Sequence, residues 1–211
     1  MFYSSVYVNC DPSESQWYHF SVKRAGYVLT GGRSSRMGRD KALLPFRNGN
    51  MATAVAATVK LAAGSATLVG SDPAHARLGY PFLPDAWPGQ GPLGAVLSVL
   101  DATPAESNLI VACDMPRLTA ALLERLMAAM ESAASQPDVV AAFGPAARIE
   151  PLCAVWRRSA CACVKRAFDD GERSPMALLT GSALRVELLE AAEAVCFQNV
   201  NTPEDWAVHD C

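Results

Sequence analysis

Short apolar runs that stop at glycine, proline or aspartate alternate along this chain with longer stretches of helical periodicity. That alternation restricts the fold more than any other feature. Tyr27–Leu29 stops before Gly31–Gly32, Ala66–Val69 before Gly70, Pro81–Leu83 before Pro84, and Leu109–Cys113 before Asp114. The last of these is apolar throughout, as a strand covered on both faces must be. Between the runs, Met51–Leu61 is rich in alanine with apolar residues at helical spacing, and Leu93–Leu100 follows a Gly91–Pro92 start. Thr119 caps a helix to about Ala134 that carries Leu122, Leu123, Leu126 and Met130 on one side. Val139–Phe143 reads as a further strand.

The order predicts an α/β chain: a single-domain, Rossmann-like open sheet, mostly parallel, with helices on both faces. From Arg148 the rhythm changes. Pro151–Trp156 reads as a strand, Ser159–Phe168 as a helix and Leu184–Leu188 as a small strand. Cys196–Val200 is expected to end the sheet region. Thr202–Pro203 should start a final helix with Glu204 and Asp205 in its acidic first turn. Ala42–Phe46 is expected to be a strand leading into an Asn-Gly turn within Arg47–Asn50. No linker divides the 211 residues. Residues 1–24 differ from the rest by crowding Phe2, Tyr3, Tyr7, Trp17, Tyr18 and Phe20 together without periodicity, so the expected division is an extension over 1–24 and one domain over 25–211.

Composition excludes several classes. A net charge of −3 leaves no face-wide basic stripe for a nucleic acid. No apolar run is long enough for a membrane span, and the first residues lack the pattern of a secretory leader. The seven cysteines are scattered without a C-x-x-C pair, which argues against a zinc or iron–sulfur site and for a reducing cytoplasm. Cys113 and Cys153 lie in apolar segments and read as small core residues. His19, His75 and His209 belong to no metal-spaced cluster and read as surface histidines.

The chemistry concentrates after the first strand. Gly31–Gly32 frees the backbone there for a close approach, and Arg33, Arg36, Arg39 and Lys41 follow. A backbone nest with cations aimed at it suits a triphosphate, because several anionic groups must be neutralised together. A tight turn carrying a solvated basic loop is the plainer reading. Neither G-x-x-x-x-G-K-[ST] nor G-x-G-x-x-G is present. In an open parallel sheet the other loops at the strands' carboxyl ends also border the ligand. They contribute Asp85, in the stiff frame PDAWPGQGPL, and Asp114, at the end of the most apolar strand. A carboxylate there is costly unless solvated, paired or holding a metal such as Mg²⁺.

The stretch Leu29–Leu44 resembles the signature L-x-G-G-x-S-x-R-M-G-x-D-K-x-L-L of the molybdenum cofactor guanylyltransferase family, with Thr30 where the family has alanine. The segments Asp85…Gly91–Pro92–Leu93, Cys113–Asp114–Met115–Pro116, Glu150–Pro151–Leu152 and Asn199–Asp205 resemble further motifs of that family in its order. The resemblance runs from about Gly26 to Trp206. It implies an enzyme that binds GTP with Mg²⁺ and transfers GMP to the terminal phosphate of molybdopterin cofactor, releasing pyrophosphate. It further implies that Lys41 contacts the α-phosphate region, Arg36 the departing pyrophosphate, and Asp114 the metal. Leu29, Thr30, Gly31 and Gly32 would line the base and ribose, Asp85 would read guanine, and Asn199 and Asn201 would border the phosphates or acceptor. Partners would be GTP, molybdenum cofactor, and cofactor-biosynthesis proteins or acceptor molybdoenzymes. The same scaffold also serves cytidylyl transfer to molybdopterin and nucleotidyl transfer to sugar or polyol phosphates. By analogy, Gly31–Gly32 and Asp85 favour guanine. A non-catalytic cofactor carrier would need neither Lys41 nor Asp114.

Overall fold

The computed structural model describes residues 23–31, 40–144, 148–191, 194–198 and 200. The aromatic extension up to residue 22, most of the basic loop, and the final helix expected from Thr202 lie outside the described residues. In chain order the elements are β1 (Arg24–Leu29), β2 (Pro45–Phe46), β3 (Gly49–Asn50), α1 (Met51–Ala63), β4 (Thr67–Gly70) and β5 (Phe82–Pro84). Then follow α2 (Pro92–Ala102), β6 (Ser107–Ala112), α3 (Ala120–Ser132), β7 (Val139–Gly144), β8 (Arg148–Arg157), α4 (Cys161–Asp169), α5 (Pro175–Thr180) and β9 (Val186–Glu190).

The main sheet has seven strands in the order β5-β4-β1-β6-β8-β7-β9. β1 pairs in parallel with both β4 and β6, and β4 with β5. β8 pairs antiparallel with β6 and with β7, while β9 is parallel to β7, so β8 runs against the other six. Chain length explains the reversal. Only positions 145–147 separate β7 from β8, far too short for the crossover that a parallel neighbour requires. The reversal begins at Arg148, where the rhythm of the sequence changes.

Two buried clusters cover the two sheet faces. One joins Val28, Leu68, Leu109 and Val111 to Val55 and Val59 of α1 and Leu122, Leu123 and Leu126 of α3. The other joins Tyr27, Leu29, Ile110 and Trp156 to Val96, Leu97 and Leu100 of α2, Val164 and Phe168 of α4, and Leu178 and Leu179 of α5. Alternate residues of β1 thus serve opposite faces, as the strand period demands. Gly26 permits the closest contact. A Cβ there would stand 2.3 Å from Val59 Cγ1 and 2.5 Å from the Ser65 carbonyl oxygen.

Local chemistry sets the helix ends. The Asn50 side chain accepts from the Thr53 amide while Thr53 Oγ1 accepts from the Asn50 amide, a reciprocal cap that starts α1. Gly64, at φ 76°, stops it. Thr119 caps α3 through the Leu122 amide as expected. Where a strand was expected at Ala42–Phe46, Lys41–Leu43 forms a 3-10 turn, because the Asp40 carboxylate accepts from the Ala42 amide and tightens the chain. Only Pro45–Phe46 remains extended, paired with Gly49–Asn50. Cys196–Val200, expected to end the sheet region, begins within a 3-10 turn over Ala194–Phe197. The short helix α5 was not foreseen.

Candidate active site

The sheet order reverses at β1. The chain moves outward from it through β4 and β5, then returns to the opposite side as β6. At such a switch point the loops leaving two neighbouring strands part and open a crevice at their carboxyl ends. β1 delivers Thr30 and Gly31 to that edge, and β6 delivers Cys113 and Asp114, with the Cys113 amide donating to the Leu29 carbonyl at 3.0 Å.

Lys41 and Asp114 meet across the crevice, with Nζ 3.8 Å from Oδ2 and side chains 18% and 24% exposed. Burial raises the Asp114 carboxyl above its usual range, opposed by the Lys41 ammonium and a backbone hydrogen bond. The Val200 amide donates to the Asp114 carbonyl at 2.9 Å, which fastens the backbone beneath the carboxylate to the segment after Ala194–Phe197. Glu150 lies at the start of β8, on the same edge because that strand runs backwards. Its carboxyl is also raised, first by burial and further by the Asp114 charge, against the effect of Arg148. Part-buried Asp114 and buried Glu150 offer a hard-oxygen donor set at this edge, with Lys41 3.8 Å from Asp114 and Arg148 3.5 Å from Glu150. A divalent cation fits that set. Buried Cys113 sits beside them, its thiol pushed far up by burial first and then by Asp114 and Asp40, so it stays protonated and is no nucleophile.

Asp85 reaches the same edge from β5, its amide donating to the Gly70 carbonyl at 2.9 Å. Its Oδ1 accepts from the Trp87 amide at 3.0 Å and from Ser98 Oγ at 2.9 Å. One carboxylate oxygen is therefore spent on holding the loop against α2, and Oδ2 is the atom left to meet a ligand. Ser98 is a supporting residue that the sequence reading missed. Leu29 is buried, and its side chain belongs to the core cluster rather than to the crevice. Thr30, also buried, turns its hydroxyl to Val69 and His75. What these two positions present at the edge is backbone. Gly31 is exposed, and among the described residues no heavy atom lies within 4 Å of where its Cβ would stand. Arg36, Gly32, Asn199 and Asn201 lie outside the described residues.

His75 corrects the surface reading. It is 2% exposed, with Nδ1 2.8 Å from Thr30 Oγ1 and Nε2 2.7 Å from Asp40 Oδ2. Its acidic partner lies 35 residues upstream, so no local pattern could reveal it. With Asp72 these groups bring three potential ligand atoms within 4.8 Å of one another. Among the described residues no helix is long and apolar enough to cross a membrane.

The MobA-like NTP transferase domain family matches residues 26–191. A molybdenum cofactor guanylyltransferase of Xanthomonas euvesicatoria pv. vesicatoria is 35% identical over 185 residues, covering 86% of this chain and 92% of the relative. Another, from Rhodobacter capsulatus, is 34% identical, covering 88% and 94%. Among solved structures, the molybdopterin-guanine dinucleotide biosynthesis protein A of Archaeoglobus fulgidus superposes with a TM-score of 0.74 at 24% identity, over 88% of this chain and 96% of that one.

Proposed function

The chain belongs to the MobA-like NTP transferase family, and on that premise we propose that it is a molybdenum cofactor guanylyltransferase, moving GMP from GTP to the terminal phosphate of molybdopterin cofactor. The observation that carries the reading is the Lys41–Asp114 pair, set 3.8 Å apart at the crevice between β1 and β6. A lysine ammonium beside a part-buried carboxylate suits the two tasks of nucleotidyl transfer: neutralising phosphate charge and holding a cation on it.

In the reaction, an oxygen of the acceptor phosphate forms a bond to the α-phosphorus of GTP. The bond from that phosphorus to the bridging oxygen breaks, and the electron pair leaves with pyrophosphate. The nucleophile is already an anion, so no general base is required, and no covalent enzyme intermediate forms. Catalysis is positioning and charge neutralisation. Lys41 lies over the α-phosphate. Arg36 meets the departing pyrophosphate. The backbone of Leu29, Thr30, Gly31 and Gly32 borders the base and ribose, and Asp85 Oδ2 accepts from the guanine edge. Asn199 and Asn201 border the phosphates, and Glu150 the acceptor. A divalent cation, Mg²⁺ in this proposal, would be held by Asp114 with Glu150 nearby and supplies further neutralisation of phosphate charge when bound. Every one of these residues falls within 25–211, which we take as the catalytic domain, with 1–24 as an extension outside it.

The test is incubation with molybdopterin cofactor, Mg²⁺ and each of the four NTPs in turn, with pyrophosphate release as the readout. Release with GTP and formation of the guanine dinucleotide are expected. Release with CTP instead, or with GTP only when a sugar phosphate is supplied, would replace this reading.

A further inference from the structure

The basic loop leaves the sheet at Thr30 and returns at Asp40, and a single imidazole touches both ends. His75 Nδ1 lies 2.8 Å from Thr30 Oγ1, and its Nε2 lies 2.7 Å from Asp40 Oδ2. The other oxygen of the same carboxylate, Oδ1, accepts from the Ala42 amide at 2.9 Å and so shapes the turn that begins with Lys41. One continuous set of hydrogen bonds therefore runs from the end of β1, through His75 and Asp40, to the backbone that carries the lysine.

The proton inventory of this set favours one arrangement. The Thr30 hydroxyl has two acceptors in reach, Nδ1 at 2.8 Å and the Val69 carbonyl at 3.0 Å. Donating to Nδ1, it completes a neutral imidazole. Donating to Val69, it leaves its lone pairs for an imidazolium. In both cases Nε2–H donates to Asp40, a hydrogen bond from a buried imidazole to a part-buried carboxylate. Asp72 stands beside the pair, but its Oδ1 accepts from the Ala74 amide, and a cation there would have to displace His75 from Asp40. The surroundings are cut to admit the contact. A Cβ on Gly70 would come within 2.5 Å of Thr30 Oγ1 and 3.2 Å of His75 Nδ1. Thr30, which departs from the alanine of the family signature, is what supplies the hydroxyl.

We propose that His75 is a positioning residue for nucleotidyl transfer: by tying Thr30 to Asp40 it holds the turn that places Lys41 opposite Asp114. The proposal rests on the guanylyl-transfer reading, because its first measurement is turnover. A lysine displaced by an ångström still attracts the triphosphate but no longer meets charge where it develops. The loss should therefore appear in kcat more than in KM.

Steady-state kinetics with Mg²⁺, GTP and molybdopterin cofactor compare wild type with His75→Leu, His75→Gln and Thr30→Val. His75→Leu should lower kcat by on the order of tenfold to a hundredfold while KM for GTP moves less than about threefold. His75→Gln, which retains an N–H donor for Asp40, should recover part of that loss, and Thr30→Val should fall between. A kcat for His75→Leu close to wild type overturns the proposal, as does a His75→Gln variant no better than His75→Leu. Should His75→Leu fail to fold, the other two variants decide, and wild-type kinetics in both would overturn it. Amide exchange supplies a measurement independent of turnover. The Ala42 amide should exchange about tenfold faster in His75→Leu than in wild type and less than that in His75→Gln, while the Leu123 amide in α3 stays unchanged. If wild type releases no pyrophosphate from any NTP, the assigned reaction fails, and Ala42 exchange alone then decides: faster exchange upholds the positioning role, and unchanged exchange ends it.

Discussion

Lys41 Nζ lies 3.8 Å from Asp114 Oδ2, although the two residues belong to a turn after β1 and to the loop after β6. At that separation the two charges attract without a hydrogen bond between these two atoms, and each group balances the other's charge.

Replacing Asp114 by Asn keeps the shape and removes the charge. Folding should survive, since the backbone bond from Val200 to the Asp114 carbonyl does not depend on the side chain. Turnover should fall by about 10²-fold or more, with a weakened dependence on Mg²⁺ concentration. GTP binding should fall less, because Lys41 and the backbone donors remain. Turnover against Mg²⁺ concentration for both proteins is the measurement, and a near-normal rate with unchanged Mg²⁺ dependence would remove Asp114 from the metal.

Asp85→Ala should weaken GTP binding by about 1.5–3 kcal/mol, the scale of a hydrogen bond to a charged group, and leave CTP much less affected. Because Oδ1 also holds the Trp87 amide and Ser98, Ser98→Ala is the control for loosening of the loop alone. Titration of both nucleotides into both variants should show base discrimination lost in Asp85→Ala and kept in Ser98→Ala. Equal losses of GTP and CTP in Asp85→Ala would assign the residue to loop structure only.

Gly26→Ala should destabilise the fold by about 1–3 kcal/mol through overpacking. The added Cβ meets Val59 Cγ1 at 2.3 Å and the Ser65 carbonyl at 2.5 Å, and the second of these is backbone that cannot simply rotate away. Urea unfolding midpoints of the two proteins test this, and an unchanged midpoint would contradict the packing of α1 on β1.

Arg24 donates to Glu131 at 2.6 Å and to Glu124 at 2.8 Å, joining the start of β1 to α3. The hydrogen bond from Arg24 holds the Glu131 carboxyl below its ordinary value of 4.5. A depressed carboxyl stabilises the fold above its unfolded-state value, and the contribution disappears as pH falls through the folded-state value. Glu131→Gln should therefore be less stable than wild type at pH 6, by about 0.2–1 kcal/mol given its solvent exposure. The gap should close as the pH falls below 4.5. Urea unfolding across that range is the check, and a gap independent of pH would exclude the ion pair as its source.

The alternation of apolar runs with helical stretches determined the α/β class, the strand positions and the loops that reach the working edge, because burial on both faces writes a continuous apolar run into each central strand. The short spacer between β7 and β8 likewise dictated their antiparallel pairing. Asp85 and Asp114 were visible as carboxylates at the ends of such runs, and Lys41 through the basic loop and its signature. Tertiary structure alone decided which partners these groups have. It brought Asp40 to His75 and Ser98 to Asp85, turned the Thr30 side chain away from the crevice, and folded Lys41–Leu43 into a turn where apolarity suggested a strand. Those outcomes depend on contacts between residues far apart in sequence, and a hydrogen bond that spans 35 positions leaves no periodicity for a sequence to display.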